Sequence, residues 1–144
     1  MNPATGGSWH FGFQAQAKFA AMVTEGNEAK YLTDFWNFME PLHGPNKETS
    51  EELLKHYTSP GGMLGGFQHY ATLLDDGKYN RENLTMLPMP VLVLNGDHGL
   101  PQSLTLASVK QVASDIITEL VPDSDHPLAE GNPEYTAKTL INFF

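Results

Sequence analysis

The sequence predicts an α/β chain: a helical first part, then two parallel strands with helices between and after them. Three observations carry this expectation. Between Glu28 and Met39, the residues Tyr31, Leu32, Phe35, Trp36 and Met39 fall on one helical face. Val91-Leu92-Val93-Leu94, bounded by Pro90 and Gly96, is a β-branched-rich run of the kind that forms fully buried parallel strands. Residues 116–121 repeat that character after a helical stretch, and strand–helix–strand implies parallel pairing with a right-handed crossover.

The elements follow in order. Residues 13–23 are rich in Ala and Gln and read as a helix, with Gly26 placed to stop it and Asn27 to cap the next. The helix of residues 28–39 ends before Pro41. Thr49-Ser50-Glu51-Glu52 has the form of a capping box and predicts a helix from there to about Tyr57. After Pro60-Gly61-Gly62, the residues Met63, Leu64, Phe67, Tyr70, Ala71 and Leu74 form another apolar helical face. In the second part a helix is expected over 103–113. The last helix opens at Asn132-Pro133-Glu134, which supplies an N-cap, a proline at the first position and an acid in the first turn. The change of character near Leu87-Pro88-Met89-Pro90 divides the chain into a helical region, 1–86, and a strand–helix region, 87–144. Two parallel strands need cover on both faces and neighbours at their edges, so the second region calls for further strands.

Composition bounds the function. With 144 residues, 40% hydrophobic and 17% charged, the chain has the length and make-up of one globular domain. A net charge of −9 and no basic cluster argue against a nucleic-acid partner. There is no cysteine, so no disulfide and no thiolate zinc site can form. No apolar run approaches the roughly 18–20 residues of a membrane helix. Residues 1–7 show neither a basic nor an apolar signal region, so a cytoplasmic protein off the membrane is expected.

Chemistry is suggested where the strands end. Gly96-Asp97 closes the first strand, and Ser124-Asp125-His126-Pro127 follows the second about thirty residues later. An acid leaving one strand and a histidine leaving the next reproduce the second half of a nucleophile–acid–histidine triad. Asp97 would orient His126 and stabilise its imidazolium, and His126 would act as general base. Asp after Gly is also a common turn former, and a loop histidine is often simply solvated. His98 is set aside as the base because adjacent side chains at a strand end diverge. Neither a His-x-x-x-His pair nor a dense ligand cluster occurs, so no metal and no cofactor are expected. No Gly-x-Ser-x-Gly or Gly-x-Asp-x-Gly is present; the nearest windows put Met63 or Leu64 in the nucleophile's place.

Two further segments are unusual: Ser8-Trp9-His10-Phe11-Gly12-Phe13 and Gly65-Gly66-Phe67-Gln68-His69-Tyr70. A tyrosine hydroxyl or histidine N–H from such a helical segment could donate a hydrogen bond to a leaving oxygen or halide. Aromatic residues at helical spacing also pack cores, and Tyr70 fits the stripe of Leu64, Phe67, Ala71 and Leu74.

Together these segments and the two strand ends resemble the epoxide hydrolase and haloacetate dehalogenase-like branch of the α/β-hydrolases, from about Gly7 to Phe144. The resemblance implies a partial α/β-hydrolase fold: a helical cap over 1–86, then the last two parallel strands and helices of the core sheet over 87–144. In that family an Asp nucleophile opens the substrate, and a His-activated water hydrolyses the resulting ester. Carried over, Asp97 matches the triad acid and His126 the base. Tyr70 matches a cap tyrosine that binds the epoxide oxygen or halide, with His10, Phe11 and Trp9 beside the substrate. His10 stands where epoxide hydrolases usually carry a second tyrosine. Phe11 stands where haloacetate dehalogenases carry a tryptophan, and Asp125 where a glycine usually precedes the histidine.

The expected parent activity is hydrolysis of an epoxide or a similar small electrophile through a covalent ester, with dehalogenase or esterase chemistry as alternatives. Without nucleophile and oxyanion hole the chain by itself is expected to be inactive. A non-catalytic truncated product, self-associating through its open sheet edge, and a binding module remain the other readings.

Overall fold

A computed structural model describes residues 9–42 and 44–144 of the chain; Ser8 of the aromatic segment lies outside the described residues. Ten elements follow one another: α1 (Trp9–Gln14), α2 (Ala17–Thr24), α3 (Glu28–Met39), α4 (Lys47–Tyr57), α5 (Gly62–Glu82), β1 (Val91–Gly96), α6 (Gln102–Val109), β2 (Ile116–Val121), α7 (Leu128–Gly131) and α8 (Pro133–Phe143). They divide into two compact units. The first comprises residues 9–34 and Lys47–Asn83; the second comprises Phe35–Asn46 and Leu84–Phe144.

In the first unit α5 is the spine, packing against α1, α2 and α4. Its buried residues are Met63 and Phe67, and Ala17 and Ala20 of α2 and Leu32 of α3 are the other buried apolar residues of this unit. The rings of Phe13, Tyr31 and Phe67 close this core edge to face, with Phe13–Phe67 centroids 6.1 Å apart and Tyr31–Phe67 5.8 Å apart. Gly61 precedes α5 with a φ of +82°, a conformation that suits glycine. One turn apart on α5, Gly62 and Gly66 leave room for the end of α4: a Cβ on Gly66 would lie 2.7 Å from the Tyr57 ring.

The expected helix over 13–23 is two helices. It begins earlier, at Trp9, and breaks at Gln16, whose ψ of 55° is not helical. Nothing local marks the break, because Ala and Gln are good helix formers. It allows His10 and Gln14 of α1, and Ala17, Ala20 and Thr24 of α2, each to bury their own face. Similarly α4 opens at Lys47, not at Thr49, with Asn46, an equally good cap residue, before it. The apolar face expected on α5 is buried only at its start, and Leu74 is 87% exposed. Gly65 is exposed within α5, and a Cβ there would touch nothing within 4 Å. Gly65→Ala should therefore stabilise the chain by about 1 kcal/mol in urea titration, through helix propensity alone.

In the second unit β1 and β2 form a two-stranded parallel sheet, in register from Val91↔Ile116 to Gly96↔Val121. α6 stops at Val109 instead of running to Ala113. The backbone of 112–113 is used elsewhere: Leu87 N–H donates to Val112 O at 2.7 Å, and Leu87 bridges to Ala113. α8 opens as its sequence implies, with the Asn132 side chain accepting the Tyr135 N–H at 3.1 Å. Val93, Ala113 and Val121 are the buried apolar residues of this unit. No helix among the described residues is long and apolar enough to cross a membrane.

Candidate active site

Because β1 and β2 run parallel and end in register at Gly96 and Val121, the loops that follow them leave the same carboxyl edge of the sheet, the edge where α/β proteins place ligands. Asp97 continues the ladder by one bond, its N–H donating to Val121 O at 3.1 Å. Its carboxylate then accepts the Ser124 N–H at 3.1 Å, and His98 N–H donates to Ser124 O at 3.1 Å. The chain turns back through Asp123, which takes a φ of +52°. The backbone N–H groups of Ser124 and Asp123 hold the Asp97 carboxyl below the usual carboxylate range. At neutral pH Asp97 is thus an anion that clamps the loop carrying His126.

That loop is packed closely against β1. A Cβ on Gly96 would run into the backbone oxygens of Ser124 and Asp125, and one on Gly99 would lie 3.0 Å from Asp125 O. Ser124 is fully buried and its hydroxyl has no hydrogen-bond partner among the described residues. Removing an unpaired buried hydroxyl takes away a desolvation penalty, so Ser124→Ala should raise stability by ~1 kcal/mol in thermal or urea unfolding. A loss of stability would mean that the hydroxyl is satisfied in solution.

Asp125 turns inward, only 3% exposed, and its Oδ2 accepts the Leu42 N–H at 3.0 Å. His126 is exposed. Among the described residues no hydrogen bond joins Asp97 to His126; the Asp97 Oδ1 instead faces the His98 imidazole, 3.8 Å from Nε2. Sequence reasoning did not anticipate the loop-clamping role of Asp97, because a hydrogen bond to a backbone amide 27 residues away leaves no local signature. Nearby, burial and the charges of Glu130 and Asp125 push the Glu40 carboxyl up to about 7. Among the described residues no group of three or more His, Cys, Asp and Glu side chains could hold a metal ion.

The aromatic residues named from the sequence come together within the first unit. His10 stacks near Phe11 at 4.4 Å between centroids and meets the Tyr70 ring edge-on at 6.1 Å; Phe11 lies 5.8 Å from Tyr70 and Trp9 lies 6.1 Å from His10. His10 is buried, which lowers its pKa and leaves the imidazole neutral at pH 7. Burial raises the pKa of the Tyr70 hydroxyl, so it remains a proton donor at neutral pH. One turn below His10, Gln14 is also buried and donates to Tyr31 Oη at 2.8 Å. Gln14 and Tyr31 were missed as site neighbours. The signal was present in His10 and Gln14, two polar residues four apart in a segment that is otherwise aromatic and Gly.

The helical unit, the parallel strand pair and the acid and histidine at its carboxyl edge define a partial α/β-hydrolase fold. The solved structures it resembles include wild-type Cfl2 from Burkholderia cenocepacia, at 25% identity and a TM-score of 0.79, over 95% of this chain and 47% of that one. They also include the epoxide hydrolase CorEH without ligand, at 24% identity and a TM-score of 0.81, over 94% of this chain and 49% of that one. The chain therefore spans about half the length of the structures it matches. No protein-family model and no curated protein matches it.

Proposed function

We propose that the chain supplies the cap (1–86) and the last two core strands (87–144) of a hydrolase that opens an epoxide or a similar small electrophile through a covalent ester. The observation that carries this reading is the exit of Asp97 and His126 from adjacent parallel strands at one sheet edge, on a fold shared with an epoxide hydrolase. In the proposed chemistry His126 takes a proton from water as the water oxygen attacks the ester carbonyl, and the imidazolium returns that proton to the alkoxide released as the ester C–O bond breaks. Asp97 keeps the His126 loop in place and offsets the charge of the imidazolium. Tyr70 donates to the oxygen of the opening ring, and Trp9, His10 and Phe11 bind the small-molecule substrate.

This chain carries no nucleophile motif, so the purified protein should not turn over a small epoxide or an aryl ester. Steady hydrolysis lost on His126→Ala would overturn that part of the proposal. Preceding the chain with the half of CorEH that it does not match should create epoxide hydrolysis that depends on Asp97 and His126. A folded chimera with activity indifferent to His126→Ala would defeat the assignment of the base.

A second reading, a non-catalytic chain that self-associates through its open sheet edge, is favoured by a sheet of two strands among the described residues, with the apolar Ile117 and Leu120 of β2 46% and 48% exposed. A cooperatively melting monomer in size-exclusion chromatography would remove it.

A further inference from the structure

We infer that Asp125 is a positioning residue for His126, fixing the loop that carries the imidazole by a side-chain bond to the segment between α3 and α4. The inference rests on the reading of His126 as the base.

A carboxyl group that is 3% exposed is costly to bury unless its oxygens are bonded. Asp125 meets that demand across 83 residues of sequence, where its Oδ2 accepts the Leu42 N–H at 3.0 Å. The opposite side of the same dipeptide is held by β1 and the residues after it. Ser124 N–H donates to Asp97 and Ser124 O accepts from His98 N–H. The glycine backbone at 96 and 99 lies against the carbonyl of Asp125. Ser124 and Asp125 are therefore gripped from two sides, by backbone contacts on one and by the Asp125 side chain on the other. His126, the next residue, is exposed, and Pro127 restricts the chain on its far side. The direction of the imidazole is inherited from its two held neighbours. Among these contacts the Leu42 bond alone comes from a side chain of the loop itself, so it can be removed without altering the strand end.

The test uses the whole chain and two isotope-labelled readouts: hydrogen exchange at the Leu42 amide, and the order parameter and carbethoxylation rate of His126. Asp125→Ala should speed Leu42 exchange by a factor of about ten or more, as expected for losing a bond to a charged acceptor. It should also lower the His126 order parameter and change its carbethoxylation rate. Asp125→Asn keeps an acceptor oxygen and should restore both toward wild type. Loss of Leu42 protection with His126 unchanged would overturn the inference, leaving Asp125 a structural anchor only. If Asp125→Ala does not fold, Leu42→Pro removes the N–H and leaves the carboxyl, and an unchanged His126 there overturns the inference equally. Failure of the functional reading looks different. A CorEH chimera with no hydrolysis, alongside His126 mobility that still follows Asp125, would defeat the role as base and leave the positioning intact.

Discussion

Gly96→Ala should be among the most damaging single methyl additions at the described residues, lowering stability by about 3 kcal/mol, roughly 10 °C in melting temperature. The residue does not need glycine for its backbone angles, since the positive-φ glycines among the described residues are Gly26 and Gly61. It needs glycine for space. An added Cβ would collide with the carbonyl oxygens of both Ser124 and Asp125, and neither backbone can move alone. Shifting that loop also loosens the Asp97–Ser124 and His98–Ser124 bonds and the Asp125–Leu42 bond. Overpacking against a flexible side-chain end is relieved cheaply, but here the obstacle is backbone held by three hydrogen bonds. A loss below about 0.5 kcal/mol in urea denaturation would show that the loop yields and that its packing on β1 is loose.

The second large effect is one of pH. Glu40 has a folded-state pKa of about 7 against 4.5 for the ordinary group, so between these values the native protein holds a proton that the unfolded chain has released. The contribution of Glu40 is therefore full below pH 4.5 and is lost as pH rises through about 7. The whole shift would correspond to roughly 3 kcal/mol, which solvent screening of a half-exposed side chain reduces to ~1 kcal/mol. Glu40→Gln should accordingly be more stable than wild type near pH 8 by ~1 kcal/mol and no different near pH 4, in urea titrations at the two values. Equal pH dependence in both proteins would show that Glu40 ionises freely. Asp97 bends the profile the other way. Its pKa is depressed, so the loop clamp it provides is present at neutral pH and is lost as pH falls through that lowered value.

Several elements could be read directly from the sequence because their causes are local. β1 and β2 are short apolar runs with turn formers at their ends, and the cap of α8 is made by Asn132 over three residues. The strand ends at Asp97 and before His126 were equally legible, since the positions of Gly96 and Pro122 mark them. The helical region was less so. The break between α1 and α2 answers to burial of His10 and Gln14 against other helices, and the apolar stripe on α5 continues to Leu74 although its burial does not. A hydrophobic period states which face a helix could bury, and only the partner decides how far along its length it does so.

The sequence by itself determined the order of elements in the second unit, the parallel sense of its strands and the residues that stand at their carboxyl ends. These follow from composition and turn chemistry within a few residues of each position. Only the tertiary structure decided what those end residues touch: that Asp97 binds the amide of Ser124, that Asp125 reaches Leu42, and that Gly96 has no room for a methyl group. The physical reason is range. Hydrogen bonds and close backbone approaches between residues 27 to 83 positions apart depend on where the whole chain has brought its segments, and no local pattern encodes that distance.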